Sequence, residues 1–182
     1  MSRMPSLTRG ELSLEEQGIF DDIAAKRGSV YGPFPVLLNS PKVAGLTAKL
    51  GEYLRFDSSL DPVILQLVTL TVAREWDCQC QWTDHEPQAL EAGVPKATID
   101  ALKERRAPEG LVTDEAELVS FVQELIQNHQ VSEAAFVRMK DRLGPLGLTD
   151  LTATIGYYSL LACVLNGFEI PPAFGREPLL PN

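Results

Sequence analysis

The sequence predicts an all-α domain on three observations. Helix-start signals recur along the chain, no segment alternates apolar and polar residues as a half-buried strand does, and the connections between helical segments are short. With 182 residues the chain is long enough to bury a real core, and residues 1–182 read as a single domain.

The elements follow in order. Ser13-Leu-Glu-Glu16 is a capping-box pattern that opens a helix carrying Leu14, Ile19, Phe20 and Ile23 and stopping at Gly28. Residues 29–39 mix Gly32, Pro33 and Pro35 with aromatics and read as an ordered irregular stretch, where Tyr31 and Phe34 either pack over the core or line a pocket. Ser40-Pro41 and Asp61-Pro62 place an oxygen-bearing cap before a proline at the first helical position, starting helices that run to about Phe56 and Trp76. The second of these is apolar on several faces, through Val63, Ile64, Leu67, Val68, Leu70 and Val72, and is expected in the core or at a subunit interface. Within it, Gln66 and Thr69 are satisfied core groups or face a small cavity. Thr113, followed by Asp114 and Glu115, starts a helix to Asn128; Ser132 starts one to Leu143, and Thr149 an apolar one ending near Gly167. Residues 170–182 hold four prolines and read as an arm that crosses a neighbouring subunit.

A formal net charge of −9 disfavours nucleic acid and anionic membrane as partners, leaving a small molecule or a protein. The longest apolar run, Tyr158 to Leu165, is too short for a spanning helix. Three cysteines, two of them one residue apart, are no secreted disulfide framework, and the first residues lack an apolar signal region, so a cytoplasmic location is expected.

Chemistry concentrates in Cys78-Gln-Cys80-Gln-Trp-Thr-Asp-His85, which holds two of the three cysteines and one of the two histidines. On a helix turning about 100° per residue, Cys78, Gln81 and His85 share a face and Cys80 points away. Cys78 at a helix N-terminus, with His85 along the same face, reads as a nucleophilic thiolate or as a buried small hydrophobe. A Cys78–Cys80 disulfide requires a non-helical segment, since helical C-x-C side chains diverge by about 200°. His85 is the candidate proton shuttle, oriented by Glu75 or Glu86. Standard zinc spacing is missing, so no metal is expected. Cys163 is expected in the core, and His129 caps a helix C-terminus.

The run Leu65 to Val94, with Val72-Ala-Arg-Glu-Trp76, the cysteine segment, His85-Glu-Pro87 and Ala89-Leu-Glu-Ala-Gly-Val94, resembles the carboxymuconolactone decarboxylase family of the alkyl hydroperoxidase D-like superfamily. Tyr31-Gly-Pro-Phe34, Asn39-Ser-Pro41, Gly51-Glu-Tyr-Leu-Arg55, Gly156-Tyr-Tyr158 and Asn166-Gly-Phe168 look like its longer members. The resemblance implies a helical bundle built around a helix pair and assembled as a homo-oligomer, a trimer or hexamer. It also implies a C-x-x-C-x-x-x-H motif with a glutamate on the preceding helix. Here Cys78 matches the first cysteine, Gln81 stands at the second, Gln66 stands at the glutamate, and Cys80 is an extra thiol.

What carries over is the histidine rather than the dithiol. The expected function is a cofactor-free acid–base enzyme, a decarboxylase, lyase or isomerase, acting on a small carboxylated or lactone-like metabolite. His85 does the proton chemistry with Glu75 orienting it, Gln66 and Gln81 bind substrate oxygens, Trp82 and Tyr31 wall the pocket, and Arg74 or Arg55 binds a carboxylate. The alternatives are a thiol peroxidase or disulfide reductase using Cys78 with Cys80, and a non-enzymatic binding or assembly module.

Overall fold

Among the residues described by the computed structural model, 2–107, 111, 113–172 and 175–181, there are helices and no strand. Helix α1 (Leu14–Arg27) opens with the expected capping box, Ser13 Oγ accepting from Glu16 N and the Glu16 carboxylate accepting from Ser13 N. Gly28 closes it at φ 76°, the left-handed conformation glycine adopts without steric cost. Leu14 is exposed, however, and Ile23 is the buried residue of this helix.

The stretch 29–39 is irregular except for the short helix α2 (Phe34–Leu37). Helix α3 (Pro41–Glu52) continues as a π-helical turn, Tyr53–Asp57, close to its expected end. Ser40 makes no side-chain cap here, so the proline's fixed φ sets the start. At α4 (Pro62–Glu75), Asp61 Oδ1 does cap, accepting from Val63 N at 2.8 Å. Next come α5 (Gln79–Ala92), α6 (Lys96–Lys103), α7 (Thr113–Asn128) and α8 (Glu133–Gly167). The eight-residue α6 has no side-chain cap and was not apparent in the sequence.

Sequence signals place the last helix start at Thr149, but the chain turns at Gly144 (φ 66°, ψ 176°) and helix resumes at Pro145. Thr149 instead lies inside the helix, its hydroxyl donating to Pro145 O at 2.7 Å. By length and composition α8 could cross a membrane, yet 56% of its most apolar window is buried in the core and Gly144 interrupts it.

Helix α4 is the centre of the bundle. Its residues 65–73 are buried without interruption, enclosed by α5, α6, α7 and α8, which explains an apolar pattern on every face. Thr69 and Thr71 satisfy their hydroxyls by donating to Leu65 O and Leu67 O. The interior also holds a carboxylate: Asp150 accepts from Ser59 N and Oγ at 2.9 and 2.8 Å and from Tyr53 Oη at 3.1 Å. Burial pushes its pKa up, but these three bonds outweigh burial and hold it below the usual carboxylate value. Asp150→Ala is expected to cost about 3 kcal/mol in denaturant unfolding, because three donors lose a charged acceptor.

The C-terminal segment folds back on its own chain. Leu180 is buried, its N–H donating to Gln79 Oε1 and its carbonyl accepting from Gln79 Nε2, each at 2.9 Å, while Leu179 N donates to Thr83 Oγ1 at 3.3 Å. This intrachain docking supplies partners to polar residues in the first turns of α5. Residues 173, 174 and 182 of this segment lie outside the described set.

Candidate active site

The link between α4 and α5 decides where the cysteines go. Asp77 adopts φ 46°, Cys78 N donates to Ala73 O at 2.8 Å and Asp77 N to Arg74 O at 3.2 Å, which is a Schellman ending with aspartate in the glycine position. Arg74 and Arg105 pair with the Asp77 carboxylate and hold the turn. Cys78 therefore sits outside the helix as the extended N-cap of α5. Its thiol shares a small buried cluster with Cys80, Ala162 and Leu165. Both expectations about the pair change. Cys78, the extended N-cap, does not line the cleft with Gln81 and His85, and Cys80 does not point away but lines the cleft beside His85. Burial also pushes the Cys78 thiol up to about 11, the reverse of a helix-activated thiolate. Cys163, expected in the core, is exposed.

The cleft beside His85 has a volume of about 50 Å³. One wall is the α5 face of Cys80, Gln81, Asp84, His85 and Gln88; the others are Arg27 and Tyr31 from the N-terminal part, Arg55 from the π-helical turn, and Tyr157 and Tyr158 from α8. His85 Nδ1 lies 3.0 Å from Gln66 Oε1. An amide oxygen only accepts, so Nδ1 carries the proton and Nε2 keeps a lone pair. Burial first, then the positive charges of Arg55 and Arg27, push the His85 pKa down to about 3. The imidazole is thus neutral, and Tyr158 packs edge-on against it at 5.2 Å between ring centroids.

Other polar groups around His85 are only partly satisfied. Gln81 Nε2 donates to Thr69 O at 3.4 Å, while its buried Oε1 has no partner among the described residues. Tyr158 Oη sits near Thr69 without completing a hydrogen bond, and burial raises its pKa to about 12. Arg27 Nη2 donates to Tyr157 Oη at 3.2 Å and its guanidinium lies 4.3 Å from the Phe34 ring centroid; Arg55 Nη2 reaches Gln88 Oε1 at 3.5 Å. Asp84, raised by burial, meets Arg176 at 3.5 Å. Among the described residues no three His, Cys, Asp or Glu side chains converge as a metal set.

Of the residues expected at the site, Gln66, Gln81, Tyr31, Cys80 and Arg55 are brought to His85 or its cleft. Glu75 is not. It accepts from Gln123 at 3.0 Å and Gln127 at 2.7 Å on α7, and it lies nine residues beyond Gln66, about 13 Å further along the helix axis. Glu86 is likewise turned away, bound to Trp82 Nε1 and Lys103. Trp82 is fully buried in the main core and does not line the cleft of His85. Arg74 is committed to Asp77. Sequence reading missed Arg27, Asp84 and Gln88. The last two share the helical face of His85 and were accessible by counting turns, whereas Arg27 looks like an ordinary last-turn cation.

No protein-family model matches the sequence, and no curated protein matches it either. Structurally, the chain is similar to an alkylhydroperoxidase AhpD core, an uncharacterised peroxidase-related protein from Ralstonia eutropha JMP134, with a TM-score of 0.71 over 98% of each chain and 16% identity. The protein therefore has the AhpD-type all-helical fold.

Proposed function

We propose that the cleft is the active site of a cofactor-free acid–base enzyme acting on a small carboxylated or lactone-like metabolite. The observation that carries this is the 3.0 Å contact of His85 Nδ1 with Gln66 Oε1, in a cleft with two guanidinium groups: an amide oxygen takes Nδ1–H, which leaves Nε2 as a neutral proton acceptor. In such a site Nε2 takes a proton from carbon next to a carbonyl, and the electron pair moves onto the carbonyl oxygen near the guanidinium charges. Return of that proton to another carbon completes an isomerisation, whereas departure of a leaving group from the adjacent carbon completes a lyase step. A base that starts neutral favours these proton-abstracting routes over a decarboxylation that needs a donated proton at the outset.

Screening small unsaturated carboxylates and lactones against the wild-type protein and His85→Ala tests the reading. Turnover is expected in the first and at least about a thousandfold less in the second; equal rates would overturn it. A thiol peroxidase remains the second reading, favoured by the shared burial of Cys78 and Cys80 and opposed by the raised Cys78 pKa. Mass-spectrometric labelling before and after mild peroxide decides it: reversible loss of both thiols supports it, and inert thiols exclude it.

The same proposal includes a cytoplasmic homo-oligomer, a trimer or hexamer, with neither nucleic acid nor membrane as partner. Support comes from α3 and the turn after it, where Val43, Leu46, Leu50, Tyr53 and Phe56 are exposed in a single stripe at helical spacing. That stripe borders a groove of about 550 Å³ between α1 and α3, and Leu46→Glu is expected to lower the mass seen by light scattering.

A further inference from the structure

Ten arginines occur in the sequence. Among the described residues, eight of them (Arg3, Arg9, Arg74, Arg105, Arg106, Arg138, Arg142 and Arg176) have a carboxylate partner. Among the same described residues Arg27 and Arg55 have none, and both line the cleft of His85. This is unexpected in a chain with nine more negative than positive charges at neutral pH, because an acidic protein offers carboxylates freely. The guanidinium groups are nonetheless positioned. Arg27 stacks on Phe34 and donates to Tyr157, and α3 passes it at Gly51, where a Cβ would lie 2.6 Å from Arg27 Nη2 and 2.0 Å from Tyr157 Oη. A position without a side chain is what lets this pair come so close to the helix. Each guanidinium has five N–H donors, and each spends one on the protein bonds described above.

On the opposite side of the balance is Gln81. Its orientation is set by Thr69 O, which can only accept, so Nε2 faces Thr69 and Oε1 is the buried atom without a partner. A buried acceptor of this kind calls for a donor, and no carboxylate supplies one. The cleft has room for about four waters, so the donor and the anion must be neighbours in one small head group.

We infer that Arg27 and Arg55 form a carboxylate receptor and that Gln81 Oε1 selects a hydroxyl beside that carboxylate, so the cleft takes a small hydroxycarboxylate. This rests on the reading of the cleft as an active site and adds to it the ligand's polar head. The carboxylate oxygens accept from both guanidiniums, and the hydroxyl donates to Gln81.

Glycolate, acetate and ethylene glycol separate the two features, and their binding to the full chain is measurable by NMR titration. Glycolate is expected to bind about tenfold more tightly than acetate, with ethylene glycol unbound at the same concentrations. Arg27→Gln and Arg55→Gln should each weaken glycolate by about tenfold or more, Arg138→Gln, a surface ion-pair control, should leave it unchanged, and Gln81→Leu should erase the preference over acetate. Melting curves establish that each variant is folded, and if Arg27→Gln is not, Arg55→Gln and Arg27→Lys carry the test. Equal affinities for glycolate and acetate overturn the hydroxyl selection, and unchanged glycolate binding in folded arginine variants overturns the receptor. These are equilibria without turnover. If they fail while catalysis still depends on His85, the inference falls and the acid–base reading stands; if His85→Ala keeps full turnover while glycolate binding depends on Arg27 and Arg55, the acid–base reading falls and the cleft is a carboxylate-binding site.

Discussion

A Gly51→Ala protein is expected to be destabilised by about 1–3 kcal/mol and to lose the arginine end of its cleft. A Cβ at this position meets Tyr157 Oη at 2.0 Å, Tyr157 Cζ at 2.4 Å and Arg27 Nη2 at 2.6 Å, separations that packed atoms do not tolerate. The tyrosine cannot retreat easily, because it is almost fully buried and its ring stands edge-on to Tyr158 at 5.1 Å. Arg27 yields instead, leaving Phe34 and the cleft. Gly18 provides the contrast: it lies within α1 with nothing inside 4 Å of an added Cβ. There alanine should raise stability by about 0.5–1 kcal/mol, the ordinary helix gain. Chemical unfolding of both variants beside wild type reads the difference, and a Gly51→Ala protein as stable as Gly18→Ala would show that the close approach is not built into the fold.

Replacing His85 by glutamine should flatten the pH dependence of stability on the acid side. The folded pKa, pushed down to about 3 by burial and by Arg55 and Arg27, lies below the unfolded value of 6.5. Between these limits the unfolded chain binds a proton that the folded chain refuses, so stability rises with pH. The contribution is complete above pH 6.5 and drains away as pH falls toward 3, with a slope of up to about 1.4 kcal/mol per pH unit. Glutamine keeps a donor for Gln66 without the titration. Subtracting the two stability curves from about pH 4 to about pH 7 cancels the carboxylates common to both. Parallel curves would mean that His85 is not buried as the neutral base. A bound carboxylate also offsets the two guanidinium charges, so the acid limb of kcat should sit at higher pH than that of kcat/KM.

Much of the bundle was legible because it depends on local chemistry. Ser13 with Glu16, Asp61 with Pro62, and Gly28 act within one or two turns of themselves, and the structure uses them as the pattern implies. The all-round apolar pattern of residues 63–72 likewise marked α4 as a buried helix. Failures came where a neighbour decided. Thr149 has the right chemistry for a cap, but Gly144 and Pro145 restart the helix one turn earlier. Asp77 has no sequence signal for a left-handed backbone, and the turn it makes leaves Cys78 as an extended N-cap instead of a residue within a helix. Glu75 lies nearer to His85 along the sequence than Gln66 does, yet the packing of α4 on α5 gives the histidine to Gln66. The site was therefore half readable. His85, Gln66, Gln81 and Tyr31 are legible in the sequence, while Arg27 enters only through the packing of α1 against α3.

That origin of Arg27 affects how the molecule would move. Helix α1 buries a single residue, Ile23, and packs chiefly against α3, whereas α4 is enclosed on all sides. Local opening should be frequent in α1 and rare in α4. An anion held by Arg27 at the end of α1 and by Arg55 beyond α3 would tie this sparsely buried helix to the rest of the bundle. Amide hydrogens of α1 would then exchange more slowly with ligand present, while those of α4 kept their rate except as global stability changed.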